Sequence, residues 1–147
     1  TASDCHPLAG AFLLENLRLN GLPPLPYRHG DWAAADPAPG HVPPRAIVDG
    51  HFDLLVGSDL LYERDEAGML AGFIGRHAAP AAQVWIVDPN RGNRVAFTRR
   101  MTVLGFSLQD ERLSEAASPG VDAYRGRLLV YRRPVLAQTE RPKAISE

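Results

Sequence analysis

The sequence predicts an α/β domain with a mostly parallel sheet, helices on both faces, and an antiparallel strand pair at its C-terminal end. Three observations predict it. Segments alternate along the 147 residues as strand, helix, strand, strand, helix, strand, helix, strand, strand. Two strand segments, FDLLVG at 52–57 and AQVWIVDP at 82–89, are nearly continuous apolar runs of the kind a parallel sheet buries on both faces. The last two strand segments are joined by SEAASPGVDAY, which holds no helix, so they read as antiparallel neighbours.

Each element has local support. Thr1 to Asp4 reads as the end of a strand. HPLAGAFLLENLRLNG follows as a helix: Pro7 suits its first turn, Leu13 and Leu17 share one face with Phe12, and Asn20-Gly21 stops it. PYRHGDW is a short strand running into a turn. Seven of the thirteen prolines fall between Pro23 and Pro44, which makes AAADPAPGHVPPR an irregular loop. After the strand at 52–57, the pairs Met69/Phe73 and Leu70/Ile74 predict a helix over 65–77. The strand at 82–89 ends at Asp88-Pro89. A third helix carries Phe97, Met101 and Leu104 on one stripe, with Gly105 as its stop. FSLQDERL and GRLLVYRR are the last strands, and residues 136–147 form a polar tail.

Composition narrows the function. An apolar fraction of 45% and a charged fraction of 22% suit one globular domain. A net charge of −1 offers no basic field for nucleic acid or a membrane surface. With Cys5 as its single cysteine the chain has no internal disulfide, which fits a reducing cytoplasm. No apolar run approaches the ~18 residues of a membrane span. The five histidines show no metal-ligand spacing, and Ser58 lacks the G-x-S-x-G setting of a hydrolase. Arg91, Arg94, Arg99 and Arg100 read as a solvated helix face, with Arg91 near enough to a strand end to meet an acidic substrate.

In an open parallel sheet, ligands bind at the carboxyl ends of the strands. Three ends therefore matter. Asp4 can accept from a ribose diol, or simply favour the helix N-terminus that follows it. Asp31-Trp32 offers an acceptor and a flat apolar surface for an adenine; a turn aspartate beside a core tryptophan reads equally well. Asp59 and Tyr62 place an anion and an aromatic ring at one strand end, which suits an amine. The alternative is a helix cap with a tyrosine packed beneath it.

Taken in order, SDCHP, ENLRLNG, GDW, FDLLVGSDLLYE and WIVDPNRG resemble the successive motifs of class I S-adenosylmethionine-dependent methyltransferases. The chain is most similar there to the seven-strand protein-lysine methyltransferases and to bacterial relatives described as predicted nicotinamide N-methylases. The resemblance runs from Thr1 to about Arg133 and implies a Rossmann-like sheet. Its most specific element is SDLLY, where Asp59 and Tyr62 stand at the two defining positions of an acid-x-x-aromatic motif. By the same resemblance Asp4 holds the cofactor's ribose, Asp31 and Trp32 its adenine, and Ser58 its methionine side. Methyltransferases of adenine or glutamine amides usually carry Asn-Pro-Pro-Tyr here; an aspartate suits an acceptor that arrives cationic, such as lysine.

The implied reaction is direct displacement at the cofactor's activated methyl, without a metal, driven by alignment of a neutral amine. The function expected is N-methylation of an amine, foremost a protein lysine. Two alternatives are a small amine or pyridine acceptor, and a non-catalytic half-domain acting as an interaction module. The family's first strand and glycine-rich loop have no counterpart in the sequence. Residues 1–135 therefore read as the C-terminal portion of a methyltransferase domain. The expected partner is a missing N-terminal segment or a second copy that completes the sheet.

Overall fold

In a computed structural model of the chain, residues 1–33, 46–62, 64–65 and 67–134 are described. The elements are β1 (Ala2–Asp4), α1 (Ala9–Leu19), β2 (Tyr27–His29), β3 (Phe52–Ser58), α2 (Met69–His77), β4 (Ala78–Asp88), α3 (Arg94–Val103), β5 (Ser107–Glu115) and β6 (Tyr124–Arg132). Their order is the one the sequence predicts. The proline-rich loop at 34–45 and the tail at 136–147 lie outside the described residues.

Local chemistry sets the helix ends. α1 closes in a Schellman motif: the Leu22 N–H donates to the Leu17 carbonyl and the Gly21 N–H to that of Arg18, with Gly21 left-handed at φ +64°. α2 begins at Met69 and not at Asp65, because the Asp65 carboxylate stays outside and accepts the Met69 and Leu70 N–H groups at 2.6 and 3.1 Å. An acid that satisfies first-turn donors from outside the helix acts as its cap.

The strands form two sheets. β1 and β2 pair in parallel, and a four-stranded sheet runs β3-β4-β6-β5, parallel between β3 and β4 and antiparallel thereafter. The α/β class with its antiparallel C-terminal pair is thus as expected, with the sheet divided in two. α2 and α3 cover one face of the larger sheet. There Leu70, Ile74, Phe97 and Met101 bury against Val84, Ile86, Leu129 and Tyr131.

The expectation that β3 is covered on both faces is corrected. Leu54 and Val56 are 49% and 70% exposed, and Trp85, paired with Val56, is 39% exposed. Alternation along a strand sends these side chains to the face opposite α2 and α3. No described helix packs there, since α1 sits beside β1 and the Tyr27 ring of β2. Among the described residues β3 pairs only with β4, and β1 only with β2.

Candidate functional site

The free sides of β1 and β3 border a common cleft of about 380 Å³. Ser3, Asp4 and Trp32 line it from the smaller sheet, Ser58 and Leu60 from the end of β3, and Phe73 from α2. The smaller sheet brings its two strand ends together by backbone bonds. The Gly30 N–H donates to the Asp4 carbonyl at 3.1 Å, and the Tyr27 hydroxyl donates to the same oxygen at 2.9 Å. Three residues expected at a cofactor, Asp4, Trp32 and Ser58, thus share one cavity.

Their states differ. Asp4 is exposed, and its Oδ1 accepts the His6 N–H at 2.7 Å, a local turn bond. Trp32 is half-buried against the core cluster, and its carbonyl accepts from Arg76 Nη2 at 3.4 Å. Asp31 lines no described cavity: its Oδ1 accepts the Ala33 N–H at 2.9 Å, closing an Asx turn. Against the demands of an adenosine group, the cleft supplies an acid for a diol, a flat apolar wall and a hydroxyl. The fit is carried by Asp4, Trp32 and Ser58.

Asp59 stands just outside that lining. Its N–H donates to the Val87 carbonyl of β4 at 2.8 Å, and its backbone is left-handed at φ +52°. This conformation is uncommon for a residue with a side chain, and aspartate is among the few types enriched in it. Arg91 grips the carboxylate from two sides, Nε to Oδ1 at 2.9 Å and Nη2 to Oδ2 at 2.7 Å. The pair is half-exposed. The arginine's hydrogen bonds hold the Asp59 carboxyl below the usual carboxylate range; lost water opposes them, and the arginine's charge adds a smaller lowering. Tyr62 is 57% exposed and lines neither described cavity.

Arg91 is the site residue that sequence reasoning misplaced. It is not on a solvated helix face but in the turn between β4 and α3. Its signal lay in the topology: β3 and β4 run parallel in the register Ser58–Val87, so whatever follows each strand meets the other. Arg94 also departs from expectation, lying 3.9 Å from Asp110 on β5. A second cavity, of about 510 Å³, opens between the segment after β3 and α3, with Arg64, Asp65, Arg99 and Arg100 in its wall. Among the described residues no group of His, Cys, Asp or Glu could hold a metal ion, and no helix is long and apolar enough to cross a membrane.

No protein-family model and no curated protein matches the chain. Solved structures do. A methyltransferase from Pyrococcus furiosus superposes with a TM-score of 0.60 at 15% identity, over 90% of this chain and 62% of its own length. An S-adenosylmethionine-dependent methyltransferase from Methanosarcina mazei gives 0.59 at 11% identity, over 90% and 81%. A ribosomal-protein methylase from Lactobacillus delbrueckii subsp. bulgaricus gives 0.53 at 19% identity, over 90% and 57%. At these identities the likeness is one of fold. The chain has the Rossmann-like fold of methyltransferases and spans 57% to 81% of the length of these three.

Proposed function

We propose that the chain carries the cofactor-binding and acceptor-orienting strand ends of an S-adenosylmethionine-dependent N-methyltransferase acting on an amine, foremost a protein lysine. The observation that supports this reading is the gathering of Asp4, Trp32 and Ser58 in one cleft, with Asp59 at the end of the strand that walls it. When bound, S-adenosylmethionine supplies an electrophilic methyl group on a sulfonium. The chain's own work is positional. The Asp4 carboxylate accepts hydroxyl donors, Trp32 covers a flat ring, and Ser58 offers a hydroxyl toward the methionine side. Once the arriving ammonium has released one proton to solvent, Asp59 accepts an N–H of the neutral amine and holds its lone pair in line, so that rate comes from alignment. The ribosomal-protein methylase lends the protein acceptor some support as a fold neighbour.

The test is a calorimetric titration of S-adenosylhomocysteine into the chain and into Trp32→Ala. One-site binding that the substitution weakens about tenfold or more supports the reading, the loss of one aromatic wall being worth ~1.4 kcal/mol or more. Binding by neither protein, or equal binding by both, counts against it. Asp59→Ala is then expected to abolish transfer while leaving cofactor affinity within about threefold, as a residue acting on the acceptor alone should.

A second reading makes the chain an interaction module. The exposed Leu54 and Val56 on a strand that, among the described residues, pairs along one side favour it, because such an edge accepts another strand. The partner is then an N-terminal segment or a second copy lying along β3. Sedimentation of the chain with and without a candidate strand peptide separates this reading from an active enzyme.

A further inference from the structure

The Asp59–Arg91 pair poses a problem for any amine acceptor. Both oxygens of the carboxylate are already engaged by a guanidinium, in the bidentate geometry that makes such pairs strong and directional. An ammonium arriving at Asp59 has to take the place of one cation with another. The arginine would then be left without its carboxylate, half-exposed to water and, among the described residues, with only the charge of Asp88 favouring its own. Asp88 is buried nearby, its Oδ1 accepting the Arg91 backbone N–H at 3.3 Å and its Oδ2 without a hydrogen-bond partner among the described residues.

The turn that holds Arg91 is itself fixed. Asn90 and Gly92, on either side, are left-handed at φ +64° and +89°. Asn93 Nδ2 donates to the Leu61 carbonyl at 2.8 Å, tying the turn to the segment after Asp59. The backbone is therefore pinned to both strand ends, while the half-exposed arginine side chain can swing. An exchange of partners is the movement this arrangement permits.

We propose that the Asp59–Arg91 pair is the recognition element for the acceptor, and that it selects an amine bearing an anionic group beside it: in a protein, a lysine flanked by glutamate or aspartate. Such a substrate replaces the internal pair with two new ones, its ammonium on Asp59 and its carboxylate on Arg91. No charge is left uncompensated. An acceptor with an ammonium alone closes only half of the exchange. The inference rests on Asp59 being the acceptor residue, as proposed above.

The experiment is nuclear magnetic resonance titration of the isotope-labelled chain, without cofactor, with three capped pentapeptides. One has lysine between two glutamates, one has those glutamates replaced by alanine, and one has the lysine replaced by alanine. The first is expected to bind about tenfold more tightly than either control, the size of one additional charge-assisted hydrogen bond. Arg91→Gln should erase its advantage over the alanine-flanked peptide, and Asp59→Asn its advantage over the lysine-free one. Arg91→Lys keeps the charge and should retain part of the preference, which guards against misfolding as the cause. Equal binding of all three by the wild-type chain overturns the proposal. So does a glutamate preference that survives in Arg91→Gln, or no binding at all. Because no cofactor is present, these outcomes are independent of the S-adenosylhomocysteine titration.

Discussion

The hydroxyls of Thr98 on α3 and Tyr131 on β6 lie 2.9 Å apart at the centre of the fold. Tyr131 is wholly buried, with its ring edge-on to Phe97 at 5.5 Å between centroids. This bond links the helix that follows the acceptor strands to the sheet beneath it, beside the Arg94–Asp110 ion pair. Tyr131→Phe keeps the ring packing but leaves the Thr98 hydroxyl without this partner. The expected loss is about 1–3 kcal/mol in urea unfolding, the cost of a part-buried group left unpaired. Replacing both, as Thr98→Val with Tyr131→Phe, should recover much of that loss. A double variant as weak as the sum of the singles would show that the bond contributes nothing.

The same tyrosine makes stability fall in alkali. Burial pushes the Tyr131 hydroxyl up from 10.0 to about 12. A raised folded-state pKa means that the folded chain holds its proton after the unfolded chain has begun to lose it. The contribution is fully present below pH 10 and is lost as pH rises toward about 12. Unfolding free energy measured across that window should fall less steeply in Tyr131→Phe than in the parent. Parallel slopes would contradict the assignment.

The alternation of segments was legible because each strand and helix carries its own signals: Asn20-Gly21 ends α1, and Phe97 and Met101 mark the buried stripe of α3. What lay beyond sequence was pairing across elements. The apolar run of β3 looks like a strand covered on both sides, yet Leu54 and Val56 are open, because periodicity reports side-chain chemistry and not which neighbours arrive. At the site, strand-end logic placed Asp4, Trp32 and Ser58 in one cleft. It did not show that Asp31 would turn its carboxylate to its own backbone, since a local Asx turn competes with any ligand. Nor could spacing show that Arg91 closes on Asp59 from 32 residues away.

Asp65 governs how firmly α2 walls the cleft. Its two oxygens hold the Met69 and Leu70 N–H groups, which no carbonyl of the helix can reach. Asp65→Ala is expected to lower stability by about 0.5–2 kcal/mol, and Asp65→Asn by less, since an amide oxygen still accepts one bond. Thermal unfolding followed by circular dichroism checks both. Equal losses for the two substitutions would point to charge, and not acceptance, as the cap's contribution.

Gly57 leaves room for Leu60 to fold back against the end of β3. A methyl group built there would lie 2.3 Å from Leu60 Cδ1 and 3.2 Å from Ile86 Cδ1. Leu60 must therefore move if Gly57 gains a side chain, and Leu60 also lines the cleft. Gly57→Ala should cost about 1–3 kcal/mol, as overpacking does. Adding Leu60→Ala removes the clashing atoms, so the double variant should be less destabilised than the two singles summed. Strict additivity would mean that the chain relaxes by another route.

Arg91 should also be visible in the titration of Asp59. Its guanidinium lowers the Asp59 pKa from the ordinary 3.8. A depressed folded-state pKa contributes stability above the ordinary value and loses it as pH falls through the lowered one, so the pair protects the fold only until acid protonates Asp59. In Arg91→Gln the Asp59 carboxyl carbon, followed by carbon-13 resonance, should titrate at higher pH than in the parent. High salt should move the parent in the same direction, because a half-exposed pair is screened. If Asp59 titrates at one pH in both proteins and in both salts, the ion pair does not persist in solution, and the acceptor side of Asp59 stands open without any exchange.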